Sequence, residues 1–190
     1  MMTMTHQHRH ATPCPVSRRT LLKSLGIIGL TAVAGCLGDE EDIDYEPISL
    51  TDGQTCAVCG MEIAGHFGPA VQAYYDGEDE PVGFDSLFEF IEYDAQQLAT
   101  GGERSAAFAT DYSRVTYEVT DVDGELYIST HAEVSDFTEL ELLEFVIDTP
   151  VKGAMGYDAI PFGDKEDAQS FAFDHDGSTV DWNSLVDTRR

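Results

Sequence analysis

Two cysteines three positions apart carry the most specific chemistry in this chain, in the run Thr55-Cys56-Ala57-Val58-Cys59-Gly60-Met61. That spacing brings both sulfurs to one side of a tight turn, and Gly60 lets the backbone curl round a bound ion. Thiolates are soft donors that suit Cu(I), Zn(II) and iron–sulfur iron, whereas a thioether is a poor ligand for zinc and a good one for Cu(I). Past residue 36 the chain has two methionines, Met61 and Met155, and both stand beside glycine in expected loops. A methionine that fills a core sits instead on the apolar face of a helix or strand. Other uses of the pair stay open. In an exported protein a C-x-x-C pair also forms a simple disulfide. A redox-active pair wants a helix that starts at its first cysteine. A closed zinc site takes four ligands, usually with a second cysteine pair. His66 is near enough in sequence to help the cysteine turn, while His131 reads as a strand-end residue and His175 as a solvated one.

Elements that position this turn follow it. Residues 70–75 read as a strand, 76–80 as a turn and 81–84 as a short returning strand. Asp85 or Ser86 can cap a helix whose apolar face is Leu87, Phe88, Phe90, Ile91, Tyr93, Ala95 and Leu98. Gly101-Gly102 stops that helix, and 106–110 reads as a third strand. Residues 114–120 and 126–130 alternate around Asp123-Gly124, a hairpin signal. The second half repeats the order: a strand at 143–148, a glycine-bearing connection at 152–157, a strand at 158–162, a helix capped by Asp164, and a closing strand at 178–182. The expectation is an α+β fold of two small β-β-α-β lobes, about 55–120 and 121–185. Each lobe is marginal alone, which favours packing them together.

The 190 residues carry a formal net charge of −26, unevenly distributed. Residues 1–35 hold Arg9, Arg18, Arg19 and Lys23 and no acid, so all 36 acids lie beyond them beside six basic residues. The basic start and the apolar stretch 25–34 read as a targeting segment, too short for the roughly 20 residues that span a bilayer. Ser17-Arg18-Arg19-Thr20-Leu21-Leu22-Lys23 resembles a twin-arginine export signal. Val33-Ala34-Gly35-Cys36 resembles a lipobox, with Cys36 as the lipid-bearing residue. The expected organisation is a signal peptide at 1–35, an acidic tether at 36–49 and a folded domain at 50–185, held outside the cytoplasmic membrane. The acidity argues against nucleic-acid partners, which need basic patches. It points to a halophilic, archaeon-like source, because molar salt shortens the screening length to about 3 Å and makes such self-repulsion tolerable.

Taken whole, the chain resembles the NosL family of nitrous oxide reductase accessory lipoproteins. The likeness rests on Cys56-x-x-Cys59-Gly60-Met61, Pro69-Ala70-Val71-Gln72, Phe84-Asp85, Thr110-Asp111-Tyr112, the Met155-Gly156-Tyr157 turn and the Ala168 to Phe171 helix before Gly177. It covers roughly residues 50–185. Ala154 stands where the family commonly has proline, and the tryptophan common in the central region is missing. The resemblance implies two β-β-α-β lobes and a lipid-anchored Cu(I) chaperone rather than an enzyme. Its ligands would be Cys56, Cys59 and Met61, completed by Met155 or His66. Its partners would be the nitrous oxide reductase maturation machinery, an ABC-type transporter and a periplasmic-type copper-binding protein. The competing expectations are an exported thiol–disulfide oxidoreductase and a lipoprotein with a structural disulfide.

Overall fold

The computed structural model describes residues 43–189; Arg18, Arg19, Cys36 and the first half of the expected tether lie outside them. The fold is α+β. Strand β1 (Val71–Tyr75) is buried along its whole length and lies between β2 (Val82–Phe84) and β3 (Arg104–Thr110), antiparallel to both. A further strand, β6 (Phe137–Glu139), extends this sheet beyond β3. Helix α1 (Leu87–Ala99) connects β2 to β3 and ends at Gly101, whose φ of +91° closes the last turn.

The second half repeats the plan. Strand β7 (Glu144–Ile147) is the centre, flanked by β10 (Ile160–Phe162) and β11 (Ser178–Asp181), with α2 (Lys165–Asp174) between those two in sequence. Pro161 is tolerated because β10 is an edge strand. In both halves the first strand is therefore central and the helix follows the second.

Three features depart from the sequence reading. The expected strand at 114–120 is confined to β4 (Val119–Val122), which pairs with β5 (Glu125–Ile128) through the Asp123-Gly124 turn, both residues at positive φ. The glycine-bearing connection is itself a small hairpin, β8 (Val151–Gly153) and β9 (Gly156–Tyr157). It joins β5 in parallel to complete a third sheet. Trp182 does not close β11 but opens α3 (Trp182–Thr188), because Asp181 accepts the Ser184 amide at 2.8 Å and starts a helix there.

β7 is a wall shared by two apolar clusters. Its side chains alternate, so Phe145 enters the cluster built on β1, α1 and β3, while Val146 enters one built on Tyr112, Ile160, Phe162 and Phe171. Ala159 and Leu185 also belong to the first cluster, and Trp182 packs on Phe90 and Phe145. The halves are thus interlocked. The chain before β1 packs too: both ends of the buried Gln72 amide bond the backbone of Ile48 at 2.9 Å, and Tyr45 stacks on Tyr74. Among the described residues no helix is long and apolar enough to cross a membrane.

Candidate metal centre

The cysteine loop is closed by its own backbone. The Cys56 amide donates to the Met61 carbonyl at 2.8 Å, the Gly60 amide donates to the Cys56 carbonyl at 2.9 Å, and Thr55 pairs with Glu62 in a single antiparallel bridge. Gly60 turns the chain at a φ of +75°, a conformation that a side chain would strain. The Ala57 amide donates to the Gly83 carbonyl of β2 at 3.0 Å, which fastens the loop to the strand entering α1. Ile63, just beyond the loop, is buried so close to Gly83 that a Cβ there would lie 2.7 Å from its Cδ1 atom.

This fastening sets the thiols beside the first turn of α1. Cys56 is 2% exposed and its Sγ donates to Glu89 Oε2 at 3.1 Å. Cys59 is half-buried and its Sγ lies 3.4 Å from Asp85 Oδ2 and 3.6 Å from Oδ1. Asp85 and Glu89 are four residues apart, a spacing that puts both carboxylates on one side of the helix start. Neither is needed as the cap. Ser86 accepts the Glu89 amide, and Asp158 accepts the Leu87 and Phe88 amides at 3.0 and 3.1 Å. One donor atom from each of Cys56, Cys59, Asp85 and Glu89 lies within 4.8 Å of the other three.

Both cysteines are free thiols. Burial pushes the Cys56 thiol up to about 12, and burial is also the main cause that raises Cys59. Glu89 is raised for the same reason. The metal-free pair is therefore held protonated, and a metal must displace protons to bind as it does at any thiolate site.

Of the other expected site residues, Met61 is part of the loop and partly buried. His66 is exposed and outside the four-donor cluster; its carbonyl accepts the Thr130 hydroxyl. Met155 is 48% exposed in the β8–β9 turn. It lines a shallow surface pocket with Ser86 and Glu89, so the tertiary fold brings it to the metal-site end of α1. His131 bonds Ser129 at 3.0 Å, and His175 stacks on Phe171 at the end of α2. Sequence reasoning saw Asp85 as a possible cap and did not single out Glu89. The available signal was their four-residue spacing at the start of a helix next to a cysteine pair.

A sequence profile of the NosL family matches residues 47–188. The chain belongs to the NosL family. It is 30% identical over 170 residues to the copper-binding lipoprotein NosL of Stutzerimonas stutzeri, an alignment that covers 87% of this chain and 78% of that relative. The crystal structure of the copper chaperone NosL from Shewanella denitrificans has the same fold, with a TM-score of 0.58 at 20% identity over 74% of this chain and 93% of that one.

Proposed function

We propose that this NosL-family chain is a lipid-anchored Cu(I) carrier that acts outside the cytoplasmic membrane and hands copper on for assembly of the multi-copper site of nitrous oxide reductase. The observation that carries the reading is the pair of free thiols set in a glycine-turned loop, with Met61 in the same loop. Two thiolates hold a soft monovalent ion, and a thioether adds a third donor that favours Cu(I) over zinc. Val58 and Gly60, on either side of Cys59, are exposed, so a partner's ligand can approach the ion from the loop tip. Met155, at the same end of α1, is the second candidate thioether, and His66 is the candidate nitrogen donor. Cys36 would carry the lipid after export directed by Arg18 and Arg19, and an ABC-type transporter and a periplasmic-type copper-binding protein would complete the transfer route.

A thiol–disulfide oxidoreductase needs an attacking thiolate, favoured by a helix N-terminus at its first cysteine. Here the pair precedes a three-residue helical turn at Ile63–Gly65, and burial drives the Cys56 thiol in the opposite direction. The test is Cu(I) titration of the reduced full-length protein against a chromophoric chelator. One Cu(I) per chain is expected, nearly abolished by Cys56→Ser or Cys59→Ser, with no insulin reductase activity. Normal binding by both variants, or insulin reduction that depends on the pair, would overturn the proposal.

A further inference from the structure

Helix α1 is capped twice at its start. Ser86 supplies the ordinary local cap and accepts the Glu89 amide at 3.3 Å. The Leu87 and Phe88 amides go instead to Asp158, at 3.0 and 3.1 Å, from 71 and 70 positions further along the chain. This second cap is costly. Asp158 is 4% exposed, and none of the ion pairs among the described residues reaches it, so its carboxyl is buried without a cation. Capping alone does not call for so distant a group.

What the distant cap adds is a fixed hairpin. Asp158 directly follows β9, and only residues 154–157 separate it from Gly153 in β8. A Cβ at Gly153 would lie 3.5 Å from Asp158 Oδ2 and 3.2 Å from the Gly68 Cα atom. The carboxyl is therefore wedged between the base of the hairpin and the first turn of α1. β9 has two residues and is bonded to one strand, β8, so its own pairing holds it weakly. Met155, in the turn between them, lines the surface pocket that it shares with Ser86 and Glu89.

We propose that Asp158 is a positioning residue: it clamps the β8–β9 turn to the start of α1 and so holds the Met155 thioether at the thiol end of the helix. The inference rests on the carrier reading, in which Met155 is a candidate donor to Cu(I). A thioether is a neutral donor on a flexible stem, so its contribution depends on being held in place before the ion arrives. Asp158 itself touches no ion and acts through the turn.

The test is a double-mutant cycle on Cu(I) affinity, measured by chelator competition with the reduced full-length protein. Asp158→Ala should weaken Cu(I) binding about 10- to 100-fold, the range for groups that orient metal ligands. In the Met155→Leu background the same change should alter affinity by less than a factor of about two. Copper-edge X-ray absorption should count one sulfur fewer in Asp158→Ala than in the wild type. In the metal-free chain, NMR relaxation should show the Met155 methyl group gaining motion. A merely structural cap would lower the melting temperature and leave the sulfur count and the dependence on Met155 unmoved. Asp158→Asn keeps one acceptor oxygen and should show a smaller loss with the same dependence on Met155, which keeps the test open if Asp158→Ala fails to fold. Wild-type affinity in the folded Asp158 variants, or an equal loss with and without Met155, overturns the proposal. So does unchanged Cu(I) affinity in Met155→Leu, which leaves the carrier reading standing on Cys56 and Cys59. Absence of Cu(I) binding by the wild type removes the carrier reading and this proposal with it.

Discussion

At the scale of single residues, the site is an arrangement of donors whose softness can be read one at a time. Met61→Ile removes only the thioether, so Cu(I) affinity should fall while Zn(II) affinity stays within a factor of about two. Parallel chelator competitions check this, and an unchanged Cu(I) affinity would exclude Met61 as a ligand. Asp158 offers a separate test, of stability. Its carboxyl is fully enclosed, and burial pushes it up to about 7, although the Leu87, Phe88 and Ala159 amides all donate to it. The folded chain therefore keeps this proton to a higher pH than the unfolded chain, where the group titrates near 4. Its contribution to stability is full below about pH 4 and is lost as the pH rises through 7, by about 4 kcal/mol at most. Asp158→Asn cannot titrate, so the variant should gain on the wild type in melting temperature between pH 4 and pH 8. A constant difference across that range would show that the carboxyl is not raised.

At the scale of elements, two loops far apart in sequence meet through glycine. The Gly68 amide donates to the Ile128 carbonyl at 2.8 Å, and its φ is +100°. A Cβ at Gly68 would lie 2.6 Å from the Gly153 Cα atom, a backbone contact that no side-chain rotation relieves. This approach ties the chain leaving the cysteine loop to β8, and so to the turn that carries Met155. Gly68→Ala should cost about 3 kcal/mol in denaturant unfolding, from strain at positive φ together with overpacking. Gly77 has φ +86° and nothing within 4 Å of a Cβ, so Gly77→Ala should cost only about 1 kcal/mol. Equal losses would mean that the Gly68 contact is not what holds the two loops together.

At the scale of the whole molecule, charge and anchorage dominate. Beyond residue 35 the acids exceed the basic residues by 30, and Arg104, Lys152, Lys165 and Arg189 are already held by carboxylates. Most of the negative charge is unpaired, so the melting temperature should fall as salt drops from molar to 0.1 M and screening weakens. An unchanged value would remove the argument for a halophilic source without touching the site. If Cys36 carries lipid, the mature protein partitions with membranes, and Cys36→Ser releases it or blocks processing. A single acyl chain anchors only marginally, so two are expected. A correctly processed but fully soluble wild type would contradict the anchor.

What was legible in the sequence was whatever depends on neighbours along the chain. The cysteine turn, the helix face from Leu87 to Leu98, the Asp123-Gly124 hairpin and the repeated order of two strands, a helix and a strand all follow from local spacing, because turn chemistry and periodicity act over a few residues. Contacts decided the rest. No local pattern says that Asp158 caps a helix 71 positions earlier and leaves Asp85 to face a thiol. Nor does one say that Glu89, set among apolar residues of α1, meets Cys56 across 33 positions. The third sheet escaped notice because β8 is only three residues long and gains its partner, β5, from a distant segment. α3 escaped because Trp182 reads equally well as the end of a strand; beyond the Asp181 cap, the packing of Trp182 on Phe90 and Phe145 and the burial of Leu185 hold the helix in place. Residue types set which chemistry the pair of sulfurs can do; burial beside two carboxylates, which exists only in the folded chain, sets the surroundings in which the sulfurs do it.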